Sequence, residues 1–299
     1  MATDADDRTL RNAKWTPYLL SAPGLITIYL FFVVPLVTLL KIALSERTER
    51  GSSNVDFDWA FGNFTRAFTD FDTQLWRALI YAAIATVLCL LMAYPLAYFI
   101  AFKAGRWRNL LLGLVMVPFF TSFLLRTIAW QSLFADNGPI LGVVEALSLE
   151  GVFDALDITT DGKIMNTPTA VVGGLTYNFL PFALLPIYVS LEKIPTNLFD
   201  AASDLYSPFA STFRRVILPM SMPGVFAGTL LTFIPASGDF INAHLLGDAN
   251  KPVIGYVIQL RFIQGGDFPA AAAISLVLMA IITVMVLLYS KFLGTDDLV

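Results

Sequence analysis

The residues best suited to chemistry in this chain are few, and they lie inside long apolar runs. Asp239 follows Pro235 and Gly238, two helix breakers, in a run from about Pro223 to Leu246. An ionisable group at membrane depth is costly, so it lines a pathway or pairs internally. A cationic solute would be drawn to Asp239. The alternatives are a salt bridge to Arg126 or exposure at the outer surface. Phe240 and Asn242 extend the same candidate pathway, and His244 beside them fits an interfacial or hydrogen-bonded role better than a ligand role. Tyr177 and Asn178 precede Leu180-Pro181. Pro181 removes one helical hydrogen bond, and the freed backbone must face protein or water. That suits a solute wall, and it equally suits a packing kink with Tyr177 in the core. Trp130 can stack on an ammonium group or sit in an interfacial belt. Arg126 repels a cation and fits better as a neutraliser of Asp239 or as a snorkelling residue.

Catalytic patterns are missing. The chain has no G-x-x-x-x-G-K-[ST] phosphate loop, no H-E-x-x-H and no G-x-S-x-G. One histidine and one cysteine, Cys89, exclude a disulfide or a thiolate metal site within the chain. No cofactor is expected in this chain, it does not read as an enzyme, and nothing marks a nucleic-acid partner.

The elements that position these residues are set by composition. Of 299 residues, 57% are hydrophobic and 14% charged, with a mean hydropathy of +0.70. A soluble domain carries about 25% charged residues, so the deficit points to the lipid bilayer. The apolar runs reach the length of roughly 20 residues that crosses a bilayer as a helix, and they do not alternate as barrel strands do. The fold class is therefore all-α, a polytopic membrane protein with about six transmembrane helices. The spans read as 18–44 (interrupted by Pro23 and Pro35), 79–102, 110–134, 168–191, 223–246 and 270–292. Residues 1–17 form a polar amino-terminal segment, 18–292 the membrane domain and 293–299 a tail. Residues 45–75 are a polar connection in which Phe61, Phe64 and Phe68 suggest a short interfacial helix. Residues 135–165 are an acidic connection with Glu145, Glu150, Asp154, Asp157 and Asp161. Placing the amino terminus inside puts Lys103, Arg106, Arg108, Lys193, Arg214, Arg215 and Lys291 inside as well, as the positive-inside rule requires. Both termini are then cytoplasmic. Gly224 and Gly228 form a G-x-x-x-G that permits close helix approach, within the chain or against a second subunit.

Between the fourth and fifth spans lies a charged, helix-forming stretch, Asp200 to Pro219. Thr196 can cap a short helix over 197–205 with Ala201, Ala202 and Leu205 on one side. Ser207-Pro208 signals a second start, and Phe209, Phe213 and Val216 repeat as one apolar stripe. Pro219 is expected to end that helix. Two short helices with an exposed stripe, held at the cytoplasmic face, form a docking surface for another protein. Arg214 and Arg215 fit contact with that partner and also the positive-inside rule alone.

Asp200-Ala201-Ala202, Leu205, Phe213, Val216, Leu218, Pro219 and Pro223-Gly224 resemble the E-A-A-x-x-L-G coupling loop of bacterial ABC importer permeases. Val117-Pro118-Phe119-Phe120-Thr121, Leu125-Arg126, Tyr177, Leu180-Pro181-Phe182, Pro186, Pro235 to Phe240 and Leu245-Leu246-Gly247 resemble the spermidine/putrescine permeases within that superfamily. The resemblance runs from the first span to the sixth. It implies a type I importer permease fold in the bacterial cytoplasmic membrane and transport of a polyamine. It also implies a dimer of ATPases that hold ATP and Mg, a second permease (different or identical) and an extracytoplasmic solute-binding protein. Related permeases carry ferric iron, sugars or thiamine on similar helices, and an ion-gradient transporter is the rival from another class. Two positions depart from the loop motif. Its Glu is Asp200 here, and its Gly is Tyr206. That Gly suits a turn with positive φ, where a Tyr costs roughly 1–2 kcal/mol. The turn therefore differs in shape, or Tyr206 itself fills the partner's groove.

Overall fold

The computed structural model describes residues 18, 20–47, 55–148, 151, 158–159 and 162–292. The expected segments 1–17 and 293–299, together with Glu150, Asp154, Asp157 and Asp161, lie outside the described residues. Among the described residues, five helices are long and apolar enough to cross a bilayer, and a sharply bent pair makes six if it forms one span. The described residues group into two compact units, drawn from 1–68 with 261–277 and from 69–260 with 278–299.

In the first unit, α1 covers Leu20–Ala43 without the interruption expected at Pro23 and Pro35. A π turn at Tyr29–Val33 precedes Pro35. Its wider winding takes up the missing N–H and moves the carbonyl that the proline ring would strike. Two short strands follow, β1 (Ser45–Arg47) antiparallel to β2 (Val55–Phe57). They are an addition to the all-α reading, and segments this short show no alternation that would reveal them. The buried Asn63 side chain donates to the Ala43 and Ser45 carbonyls at 2.9 and 3.0 Å. It stands on α2 (Gly62–Thr69), the short helix expected from the phenylalanine spacing, with Phe61 just ahead of it.

The second unit is built on three helices in mutual contact: α3 (Asp72–Phe102), α7 (Pro168–Glu192) and α9 (Phe209–Ser237). Helix α3 begins seven residues before its apolar run and is about 46 Å long at 1.5 Å per residue. Its buried face is a row of small residues, Ala78, Ala82, Ala85, Cys89, Ala93 and Ala97, which lets its neighbours approach closely. Helix α7 starts where Thr167 Oγ1 accepts from the Ala170 amide at 3.2 Å, and it continues through Pro181 and Pro186. The G-x-x-x-G of α9 packs on α7 of the same chain. A Cβ on Gly224 would lie 2.4 Å from the Pro186 carbonyl oxygen, and one on Gly228 would lie 3.0 Å from that of Ala183.

The expected third span is broken. Helix α4 (Gly105–Phe120) meets the stretch Phe123–Ala146 at 92°. That stretch holds α5 (Phe123–Phe134) and α6 (Pro139–Ala146), so the acidic connection begins with a helix. Pro118 lies in the 3-10 turn Val117–Phe120, and Thr121 is extended, its hydroxyl donating to the Pro118 carbonyl at 2.6 Å. That local bond competes with continued helix at the break. The remaining elements among the described residues are α8 (Asn197–Asp204), α10 (Ile241–Leu246), α11 (Ile254–Gln259) and α12 (Phe268–Phe292).

Two details of the stretch 196–219 differ from expectation. Thr196 stands at the N-cap of α8 but has helical dihedrals and makes no side-chain cap bond. Pro219 does not end its helix. A π turn at Phe213–Ile217 precedes it, as at Pro35, and α9 runs on from Phe209 into the membrane span. At the end of α8 the amide of Ser207 donates to the Ala202 carbonyl, and that of Tyr206 to Ser203, both at 2.9 Å. This is a Schellman cap, whose C′ residue is left-handed and usually Gly. Tyr206 occupies it with φ of 50°, so the turn keeps the shape that Gly favours and the Tyr bears the strain. Tyr206→Gly is therefore expected to stabilise the chain by about 1 kcal/mol. Thermal unfolding in detergent checks this, and a lowered midpoint would contradict it.

Candidate functional site

Helix α9 ends at Ser237 because Gly238 and Asp239 leave helical geometry, and α10 restarts the chain at Ile241. The fifth span expected over 223–246 is therefore two helices with a break at Asp239. At that break Asp239 Oδ1 accepts from the Asn242 amide at 2.8 Å and from Asn242 Nδ2 at 3.1 Å. The carboxylate thus covers the amino end of α10, where free N–H groups and the helix dipole favour an anion. Oδ2 of Asp239 makes no hydrogen bond or ion pair among the described residues.

Asn242 is fixed from the other side. Its Oδ1 accepts from Asn178 Nδ2 on α7 at 3.1 Å and lies 3.4 Å from Thr127 Oγ1 on α5. Asn178 Nδ2 also reaches Thr127 Oγ1 at 3.2 Å. Thr127, Asn178 and Asn242 are fully buried. Room for this junction depends on Gly174, where a Cβ would lie 2.5 Å from Leu246 Cδ1 and 2.7 Å from Asn242 Oδ1. Asp239 is therefore the partly exposed end of a polar chain that runs through three helices. Buried amides are costly in an apolar interior unless paired, and Asn178 is held through Nδ2 while its buried Oδ1 has no partner among the described residues. Asn178→Leu removes both of its bonds and leaves Asn242 Oδ1 short of a donor. It is expected to cost about 1–3 kcal/mol and to lower the thermal midpoint in detergent, and an unchanged midpoint would refute the junction's importance.

The structure brings the sequence-predicted pathway residues together in two groups. Asp239, Asn242 and Asn178 share the polar chain, and Trp130 meets Tyr177 edge to face at 5.2 Å. Adjacent residues 177 and 178 point about 100° apart on a helix, so α7 serves both groups. Phe240 lies at the break, 39% exposed. Asn178 and Asn242 are sealed in this structure, and Asn242 holds Asp239, whose own side chain is half-buried. The Asp239–Arg126 salt bridge is not formed. Arg126 is 9% exposed and lies over the Phe123 ring at 5.6 Å, with Nε and Nη1 lacking a hydrogen-bond partner. His244 stacks on Tyr256 at 4.8 Å.

At the other end of the unit, the coupling stretch divides its aromatic residues. Phe199 packs on Phe102, Phe209 on Tyr98 and Phe213 on Tyr94, at 5.0, 6.0 and 5.6 Å. Of the stripe expected to face a partner, Phe213 is half-buried against α3, whereas Phe209 touches α3 and keeps an exposed face. Leu205 at 80%, Tyr206 at 95% and Phe209 at 63% exposure stand outward. Asp200, Ala201 and Arg214 are exposed and Ala202 is half-buried. Sequence reasoning missed the tie beside this stretch. Arg108 on α4 bonds both Tyr188 and Glu192 on α7 and covers the Tyr188 ring at 5.0 Å. It also missed Thr127, whose only signal was a hydroxyl in an apolar run beside Arg126.

Known proteins match this arrangement at both levels. Residues 93–293 match the family described as binding-protein-dependent transport system inner membrane component. The spermidine/putrescine transport system permease protein PotB of Haemophilus influenzae is 35% identical over 269 residues, covering 88% of this chain and 90% of its own. The Escherichia coli K12 protein of the same name is 37% identical over 262 residues, covering 87% and 92%. In fold, a chain of a bacterial alginate ABC transporter, crystallised with an alginate pentasaccharide-bound periplasmic protein, aligns with a TM-score of 0.70 at 16% identity over 94% of each chain. A chain of the inward-facing MetNI methionine ABC transporter aligns at 0.56 and 14% identity, over 74% of this chain and 93% of its own. The fold is thus the type I importer permease fold, and the chain belongs to the binding-protein-dependent transport system inner membrane component family, as a multi-pass membrane permease homologous to the spermidine/putrescine permeases.

Proposed function

We propose that this permease is one half of the membrane pore of an ATP-driven importer for spermidine or putrescine. What carries the reading is the identity with spermidine/putrescine permeases over nearly nine tenths of the chain. The site chemistry agrees with it. A carboxylate with one uncommitted oxygen stands at a helix break, and the Trp130–Tyr177 pair offers ring faces that attract an ammonium group. A polyamine has what both need: separated cationic nitrogens joined by apolar methylenes.

The chain performs no covalent step. An extracytoplasmic binding protein delivers solute from one side, and an ATPase dimer holding ATP and Mg engages the coupling stretch on the other. A second permease, different or identical, completes the pore. The Lys/Arg bias supports cytoplasmic termini. ATPase closure moves α8 and the start of α9, and continuous α9 carries that motion to the break at Asp239. The test is ATP hydrolysis by the reconstituted complex with its binding protein. Stimulation by spermidine or putrescine is expected. Stimulation by ferric iron, a sugar or thiamine instead would replace the substrate, and gradient-driven uptake by this chain alone would replace the mechanism.

A further inference from the structure

The coupling stretch carries one feature that packing within the chain does not explain. Tyr206 holds the left-handed C′ position of a Schellman cap, a place where Gly would be free of strain. Its ring receives nothing in return from the chain: it is 95% exposed and makes no ring contact among the described residues. Phe199, Phe209 and Phe213 differ, since each takes an aromatic partner on α3. Strained residues cluster where the strain serves a function, and Tyr, with large rigid area and a polar tip, is among the side chains enriched at interface hot spots. Leu205 beside it is 80% exposed, and α8 buries none of its residues. The carboxylates of Asp200 and Asp204 stand exposed on the same short helix.

We propose that Tyr206 is the anchor by which this permease selects its own ATPase subunit. The left-handed backbone aims the ring away from α3 into an apolar pocket on that subunit. Leu205 closes the pocket's edge, and Asp200 and Asp204 face basic groups on its rim. The residue that departs from the coupling-loop motif thus sets which ATPase fits. This rests on the importer reading above.

The test uses the tagged full-length chain purified as the importer complex in mild detergent, with the affinity of the ATPase subunit measured for each variant. Tyr206→Gly relieves the backbone and removes the ring, so it should weaken ATPase binding at least tenfold without lowering the thermal midpoint of the permease. Tyr206→Phe should bind within about threefold of the wild type. Leu205→Asp puts a charge on the same tip and should also release the ATPase. Tight binding by Tyr206→Gly, with release by Leu205→Asp, overturns the anchor and leaves the docking surface standing. Tight binding by both, or no ATPase with the wild-type chain, overturns the docking surface and the anchor together.

Discussion

Asp239→Asn is expected to reduce polyamine uptake roughly 10–100-fold while leaving the permease folded. The fold survives because Asn keeps the oxygen that accepts from the Asn242 amide and side chain, so α10 stays attached at its start. Uptake falls because a neutral amide no longer attracts a cationic nitrogen. A charge-assisted hydrogen bond is worth about 1.5–3 kcal/mol, and each 1.4 kcal/mol is tenfold. Asp239→Glu keeps the charge but moves it by one methylene, so it should recover part of the loss. The measurement is uptake of labelled spermidine or putrescine by cells that depend on this importer, alongside thermal unfolding of each purified variant. Wild-type uptake by Asp239→Asn would remove Asp239 from the pathway. A matching fall in thermal midpoint would make its role structural.

The second large effect concerns the contact between α7 and α9. Gly224→Ala adds one methyl group, yet that carbon would lie 2.4 Å from the Pro186 carbonyl oxygen and 2.5 Å from Ser190 Oγ. The Ser190 hydroxyl can turn aside, whereas the Pro186 carbonyl belongs to the backbone and cannot. Overpacking of this kind costs about 1–3 kcal/mol or more. The variant should accumulate poorly in membranes and melt well below the wild type. Gly228→Ala, whose methyl group would lie 3.0 Å from the Ala183 carbonyl oxygen, should be milder. Gly113→Ala on α4 meets nothing within 4 Å and should be neutral or stabilising, because Ala favours helix. Equal effects at all three positions would show that close approach is not what these glycines supply.

The parts of this architecture that a single sequence reveals are those where polarity changes along the chain. Helix α7 ends within two residues of its apolar run because Lys193 marks the exit, and α12 begins within two residues of its own. Inside a bilayer both faces of a helix are apolar, so the pattern that separates buried from exposed is lost. The break at Thr121 and the junction at Thr127 therefore left no periodic trace. Proline misled in the opposite direction. Pro35 and Pro219 look like stops, but a π turn ahead of each lets the helix continue, and no residue type marks such a turn. At the site, Asp239 stood out because a charge in an apolar run is rare. The sealed roles of Asn178 and Asn242 emerged only once α5, α7 and α10 were seen to converge. Tyr206 was legible throughout, because a motif that asks for Gly states which backbone conformation it needs.

The unbroken passage of α9 from Phe209 to Ser237 makes it a lever. Its 29 residues give an arm of about 43 Å at 1.5 Å per residue. A tilt of only about 5° at the coupling end would displace the far end by roughly 4 Å, more than the length of a hydrogen bond. At that far end stand Gly238 and the carboxylate whose two bonds to Asn242 measure 2.8 and 3.1 Å. A tilt that small at the Phe209 end is therefore enough to move the break that carries Asp239 relative to Asn178 and Thr127, which hold Asn242 from α7 and α5.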